Sequence, residues 1–134
     1  SYHPRRSSDL AQQPATPPNS FVVYFDFASA RLSTLARPVI ADAAVAIRRA
    51  QEKKSLSHVK VIGYADSAGT SEGADRLSQR RADAVRDELL REGIAADLIT
   101  TEGRGKREPE VPTKDQVRNP RNRRVRIMLY RPGD

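Results

Sequence analysis

Val59-Lys60-Val61-Ile62-Gly63-Tyr64, then Ala65-Asp66-Ser67-Ala68-Gly69, then Leu77-Ser78-Gln79-Arg80-Arg81-Ala82 is the stretch on which the fold turns. Its first six residues are largely apolar and β-branched, as a buried strand requires. Residues 65–73 are rich in Ser, Gly, Ala and Asp and read as a loop. A helix is expected over about 74–92, stopped by Gly93, a residue able to take the left-handed conformation that closes helices.

The pattern extends in both directions. Phe21-Val22-Val23-Tyr24-Phe25 reads as another buried strand, closed by Asp26. Ser33 or Thr34 can cap a helix in which Leu35, Val39, Ile40, Ala43, Ala44 and Ile47 recur at helical spacing. Pro38 must then lie in or near the first turn, since a proline further in breaks the ladder. Leu98 to Glu102 reads as a short third strand. Residues 103–121 hold two Gly, three Pro and many charges, and form a long loop of the kind that often carries function. Asn122 to Tyr130 closes as a fourth strand, with Val125, Ile127 and Leu129 on one face.

This order predicts an α+β fold: a two-layer βαβαββ sandwich with its helices on one face of a mixed four-stranded sheet. The domain is expected over residues 21–134. Residues 1–20 contain four prolines with Ser and Gln, and are expected to be a flexible lead-in or tether.

Charge is distributed unevenly. Of the formal net charge of +7, residues 1–20 carry +1, residues 21–102 none, and residues 103–134 carry +6. A basic C-terminal quarter favours anionic partners: nucleic acid, acidic lipid or a carboxylate-rich polymer. It can equally be a solvated surface. Arg124, Arg126 and Arg131 alternate along the last strand and are expected to form one solvated edge.

Several chemistries are excluded or poorly supported. With no cysteine there is no disulfide, thiolate metal site or cysteine nucleophile. No apolar run reaches the 18 residues a membrane-spanning helix needs. Ser1-Tyr2-His3-Pro4 shows no apolar region of a secretory signal, so any such signal is expected to be absent or already removed. His3 and His58 are isolated, no cluster has metal-ligand spacing, and Ser67 and Ser78 have no histidine to activate them. The glycines at 63, 69 and 73 match no dinucleotide or phosphate-loop fingerprint and are expected to serve loop geometry. No catalytic residue, metal or cofactor is expected. Asp26 and Asp66 as a glycosidase acid pair is a weak alternative, because acids at strand ends are common.

The second helix carries one anomaly. At 100° per residue from Leu77, the apolar stripe holds Ala84, Val85, Leu89 and Ala82, and Arg81 falls inside it at roughly 40°. A guanidinium on a core-facing stripe loses hydration and needs an anionic partner. Asp26 and Asp66 each follow a strand, so both are expected at one rim, where open sheets place their ligand crevice. Two readings stay open: an internal salt bridge from Arg81 to one of these acids, or a two-pole site for a zwitterion, with a carboxylate on an ammonium and Arg81 on a carboxylate.

Taken together, Phe25-Asp26-Phe27, Gly63-Tyr64-Ala65-Asp66-Ser67-Ala68-Gly69, Leu77 to Ala82 with Val85, Gly93-Ile94 and Asn122-Arg123-Arg124-Val125 resemble the OmpA-like C-terminal domain. That family includes peptidoglycan-associated lipoproteins and the periplasmic part of flagellar stator proteins. The resemblance spans about residues 21–130. It implies a non-catalytic periplasmic module of a Gram-negative cell, associated with the outer membrane, that binds the peptidoglycan stem peptide non-covalently. It further implies that Asp66 and Arg81 hold the amine and carboxylate of diaminopimelate. Asp26, Phe27, Ala28, Ala65 and Arg123 are implied at the same pocket. The parent would be membrane-attached, through a lipid anchor, a β-barrel or a stator helix, and a homodimer is compatible.

The chain departs from the family pattern in places. Ala65 stands where Thr is frequent, Gly73 and Ala74 replace a common Tyr-Asn pair, and Arg126 replaces an acid. These departures bear on ligand choice more than on fold. Two other functions compete: a nucleic-acid-binding module using the basic last strand, and a structural partner-binding domain with no small ligand. The few aromatics, and the apolar alternation of the last strand, weigh against nucleic acid.

Overall fold

The computed structural model describes residues 19–134. Its elements are β1 (Ser20–Tyr24), α1 (Ala36–Glu52), β2 (His58–Gly63), α2 (Ser71–Arg91), β3 (Ile99–Gly103) and β4 (Arg124–Tyr130), with short 3-10 turns at Ala96–Leu98 and Pro120–Asn122. The four strands form one sheet in the order β1-β4-β2-β3. β2 and β3 are parallel, while β4 runs antiparallel to both β1 and β2. The expected α+β sandwich is therefore present. The expected lead-in lies outside the described residues except for Asn19 and Ser20, and Ser20 already belongs to β1.

One apolar layer joins the two helices to the sheet. Ile40, Ala43, Ala44 and Ile47 of α1 and Ala82, Val85 and Leu89 of α2 pack on Val23, Val59, Val61, Val125 and Ile127, all essentially inaccessible. Burial of this aliphatic surface is the main stabilising contribution. Val125 and Ile127 alternate with half-exposed Arg126 and Met128, as a sheet with one covered face requires.

Glycine lets α2 approach closely. A Cβ on Gly63 would collide with the Ser78 carbonyl, and one on Gly103 would lie 2.7 Å from the Gln79 nitrogen. The helix thus rides directly on β2 and β3, which fixes how deep Arg81 sits. Gly63 serves packing within a strand rather than a loop. Gly93, at φ 94°, closes α2 as expected.

Two helix starts and one surface expectation differ from the sequence reading. α2 begins at Ser71, because Thr70 caps it: the Thr70 Oγ1 accepts a hydrogen bond from the Gly73 nitrogen at 3.0 Å. That also puts Gly73 in the first helical turn rather than in the loop. α1 begins at Ala36, whose nitrogen donates to the Ser33 Oγ at 3.2 Å, and Pro38 sits in the first turn. The solvated basic edge fails at Arg124, which is only 6% exposed. Tyr64 and the loop before β4 cover Arg124: it stacks on the Tyr64 ring at 3.7 Å and donates to the Glu108 carbonyl at 3.3 Å.

Candidate functional site

The topology gathers the candidate residues at one end of the sheet. β1 and β2 both run antiparallel to β4, so they point the same way and their carboxyl ends flank the start of β4. Asp26 follows β1, Asp66 follows β2, and Arg123 immediately precedes β4. Arg81 reaches the same place from α2.

Arg81 is completely buried. Its Nε donates to the Ser29 carbonyl at 2.8 Å, Nη1 to the Tyr64 carbonyl at 2.9 Å and Nη2 to the Asp26 carbonyl at 3.0 Å. It therefore ties the chain after β1 to the chain after β2. The expected anionic partner is replaced by three backbone dipoles, since chain ends of strands present carbonyls with no partner in the sheet. Of the two readings, the internal salt bridge from Arg81 to Asp26 or Asp66 is not formed among the described residues. Burial pushes the Arg81 pKa down to about 10, opposed by the nearby Asp66 charge. It remains a cation at neutral pH. Three of its five N–H groups are engaged, which leaves one on each Nη.

Asp66 pairs instead with Arg123. Arg123 Nη1 lies 3.1 Å from the Asp66 Oδ2, and its Nε donates to the Phe25 carbonyl at 3.0 Å. The Asn119 nitrogen donates to the same Oδ2 at 3.2 Å, and the Ala68 nitrogen to Oδ1 at 3.3 Å. Asp66 and Ala65 are both 4% exposed. Asp26 is exposed at the rim, as are Phe27 and Ala28. Ala28 has φ 58°, so the turn after β1 holds a non-glycine residue in the left-handed region.

A profile of the OmpA family matches residues 24–123, which contain every one of these side chains. The chain belongs to the OmpA family. An outer membrane protein of Gluconacetobacter diazotrophicus is 36% identical over 121 residues, covering 86% of this chain and 31% of that protein. The probable lipoprotein YiaD of Escherichia coli is 36% identical over 107 residues, covering 80% of this chain and 47% of that protein. This OmpA-family chain thus spans less than half the length of either relative. Among solved structures, the peptidoglycan-associated lipoprotein of Burkholderia pseudomallei superposes with a TM-score of 0.74 at 27% identity, over 88% of this chain and 97% of that one. The OmpA-like domain of FopA1 from Francisella tularensis gives 0.71 at 26%, over 84% of this chain and 74% of that one.

In this OmpA-family domain the 103–121 loop straps down the Asp66 loop. Lys106 Nζ donates to the Gly69 carbonyl at 2.9 Å and lies 2.8 Å from the Asp115 Oδ1. Gln116 brackets Gly69, accepting from its nitrogen at 2.9 Å and donating to its carbonyl at 2.8 Å. Ser67 Oγ accepts from the Val117 nitrogen at 2.9 Å. Ser78, buried, accepts from the Gly105 nitrogen at 2.8 Å and anchors the loop's start to α2. Asn122 is buried and exchanges two 2.8 Å hydrogen bonds with the Val111 backbone. Sequence reasoning missed these supports. Ser78 alone had a readable signal, since it falls on the same apolar stripe as Arg81.

A groove of about 620 Å³ adjoins the site along the outer edge of β1 and the start of α1. Val22, Leu35, Val39 and Pro120 line it, and it reaches Asp26 and Arg123 but not Asp66 or Arg81. No group of three or more His, Cys, Asp or Glu side chains is placed to hold a metal ion among the described residues.

Proposed function

We propose that this domain is a non-catalytic peptidoglycan-binding module that anchors its parent protein to the cell wall from the periplasmic side of the outer membrane. Its ligand is the diaminopimelate of the stem peptide. One observation carries the proposal: two acids and two arginines, Asp26, Asp66, Arg81 and Arg123, converge at one sheet end of an OmpA-family domain. Its resemblance to a peptidoglycan-associated lipoprotein supports the choice of polymer.

Electrostatics supports a zwitterionic ligand. Arg81 is a buried cation whose hydrogen bonds all go to carbonyls and whose Cζ lies 5.3 Å from the Phe25 ring centroid, so a ligand carboxylate on its two free Nη protons offsets a desolvated charge. A ligand ammonium is complementary to the acids beside it. Because Arg81 is buried, ligand access requires the groups that cover it to move aside. Binding at one site is weak, since a single amino-acid residue buries little area, and retention comes from many sites on one polymer.

Sedimentation with purified sacculi tests this. Asp66→Asn and Arg81→Lys, each first shown to be folded by circular dichroism, should remain in the supernatant while wild type sediments. Co-sedimentation of both folded variants at the wild-type level overturns the site.

A further inference from the structure

Among the described residues, the Arg118 guanidinium is held over a ring and paired with no acid. Its Cζ lies 3.5 Å from the centroid of the Phe27 ring. Phe27 belongs to the turn after β1 and Arg118 to the 103–121 loop, and both are exposed. The backbone is fixed on either side of Arg118: the Val117 nitrogen donates to Ser67 Oγ at 2.9 Å, and the Asn119 nitrogen donates to the Asp66 Oδ2 at 3.2 Å. Arg118 is thus one residue from a direct bond to Asp66, and its side chain crosses to the loop that carries Asp26. The Arg118–Phe27 contact thus bridges the two segments next to Asp26 and Asn119, the latter bonded to Asp66.

Stacking occupies the face of the guanidinium and leaves its edge open. The in-plane N–H groups are the ones that take a carboxylate in a fork. No acid forms an ion pair with Arg118 among the described residues, although the same loop pairs Lys106 with Asp115 and Arg104 with Glu108. A side chain preorganised over a ring beside the Asp66 and Asp26 segments, with no acid on its donor edge among the described residues, is suited to a second anionic group on a ligand at this end of the sheet.

The geometry points to Arg118 as a specificity-determining residue that reads a second carboxylate on the stem peptide, the free carboxyl of the glutamate next to diaminopimelate. This rests on the function proposed above. Arg81 takes the carboxylate of diaminopimelate, and Arg118 distinguishes a free neighbouring acid from its amide. An amide offers one neutral acceptor and two N–H groups that oppose the guanidinium donors, so amidation weakens binding.

The test is calorimetric titration of the whole chain with two synthetic tripeptides, L-Ala-γ-D-Glu-diaminopimelate and the same peptide with the glutamate carboxyl amidated. Wild type should prefer the free acid by roughly tenfold, the size of one charge-assisted hydrogen bond. Arg118→Gln should bind both within about twofold, and Arg118→Lys should keep part of the preference because it keeps the charge. Since the Arg118 side chain is exposed, its variants should melt as wild type does. Wild type binding both peptides equally, or Arg118→Gln keeping the full preference, overturns the role of Arg118 while leaving the diaminopimelate site standing. Wild type binding neither peptide overturns both.

Discussion

Arg123 Nη1 and the Asp66 Oδ2 lie 3.1 Å apart, with side chains 13% and 5% exposed. This ion pair joins the start of the last strand to the end of β2, so the acid of the candidate site is held by a residue 57 positions away in sequence. Removing one partner leaves an uncompensated buried charge. Arg123→Met is expected to destabilise the domain by about 3 kcal/mol, and Asp66→Asn by somewhat less, because the asparagine keeps an acceptor. The double variant should lose less than the sum of the two. Urea midpoints of the four proteins measure this coupling, and additive losses would show the pair to be energetically independent.

Arg81 makes a different prediction. Its three carbonyl partners point from three directions, a geometry that a planar fork satisfies and an ammonium does not. Arg81→Lys keeps the charge yet should cost about 2–3 kcal/mol, through one or two buried carbonyls left without donors. Arg81→Ala should cost more. Amide exchange at Ser29, Tyr64 and their neighbours should accelerate before that of the β4 core.

Much of the fold was legible in the sequence because period and punctuation agree. The alternating Val125, Ile127 and Leu129, the helical spacing through α1 and the stop at Gly93 each fix an element locally. The helical wheel also found Arg81 as a charge on an apolar stripe. Its partners were hidden, because unpaired carbonyls at strand ends carry no residue signature. Arg123 entered the site only through the family resemblance, and its pairing with Asp66 was hidden for a topological reason. Its contact with Asp66 depends on the last strand inserting between β1 and β2, and residue order alone does not say which strand is central. Arg124, which alternation alone would place in solvent, is buried by Tyr64 and the 103–121 loop, a tertiary contact that strand periodicity does not carry.

Glycine positions separate two costs. A methyl group at Gly63 meets the Ser78 carbonyl, so Gly63→Ala forces α2 off the sheet and should cost about 3 kcal/mol or prevent folding. Gly93 has nothing within 4 Å of its missing Cβ, but its φ is 94°. Gly93→Ala should cost only about 1 kcal/mol, the strain of a left-handed alanine. Comparable melting temperatures for the two variants would contradict the close approach at Gly63.

The strap over the Asp66 loop should respond to acid before the core does. Hydrogen bonds from Lys106 and then Gln116 hold the Asp115 carboxyl below its usual 3.8. A carboxylate with a depressed folded pKa contributes stability that is fully present above its unfolded value and is lost as pH falls through the lower folded value. Down to about pH 5 the strap should therefore be intact, and below about pH 3.8 it should loosen progressively. The reporters are the amides of Gly69, Gln116 and Val117, which donate to Gln116 Oε1, the Ser67 carbonyl and Ser67 Oγ. Their protection factors, corrected for intrinsic exchange, should fall in that window while those of Val61 and Ile127 hold. Asp115→Asn removes the titrating group, so its reporters should be less protected at neutral pH and show no such step. A step of equal size at Val61 and Ile127 would mean that acid acts on the whole domain rather than on the Lys106–Asp115 contact.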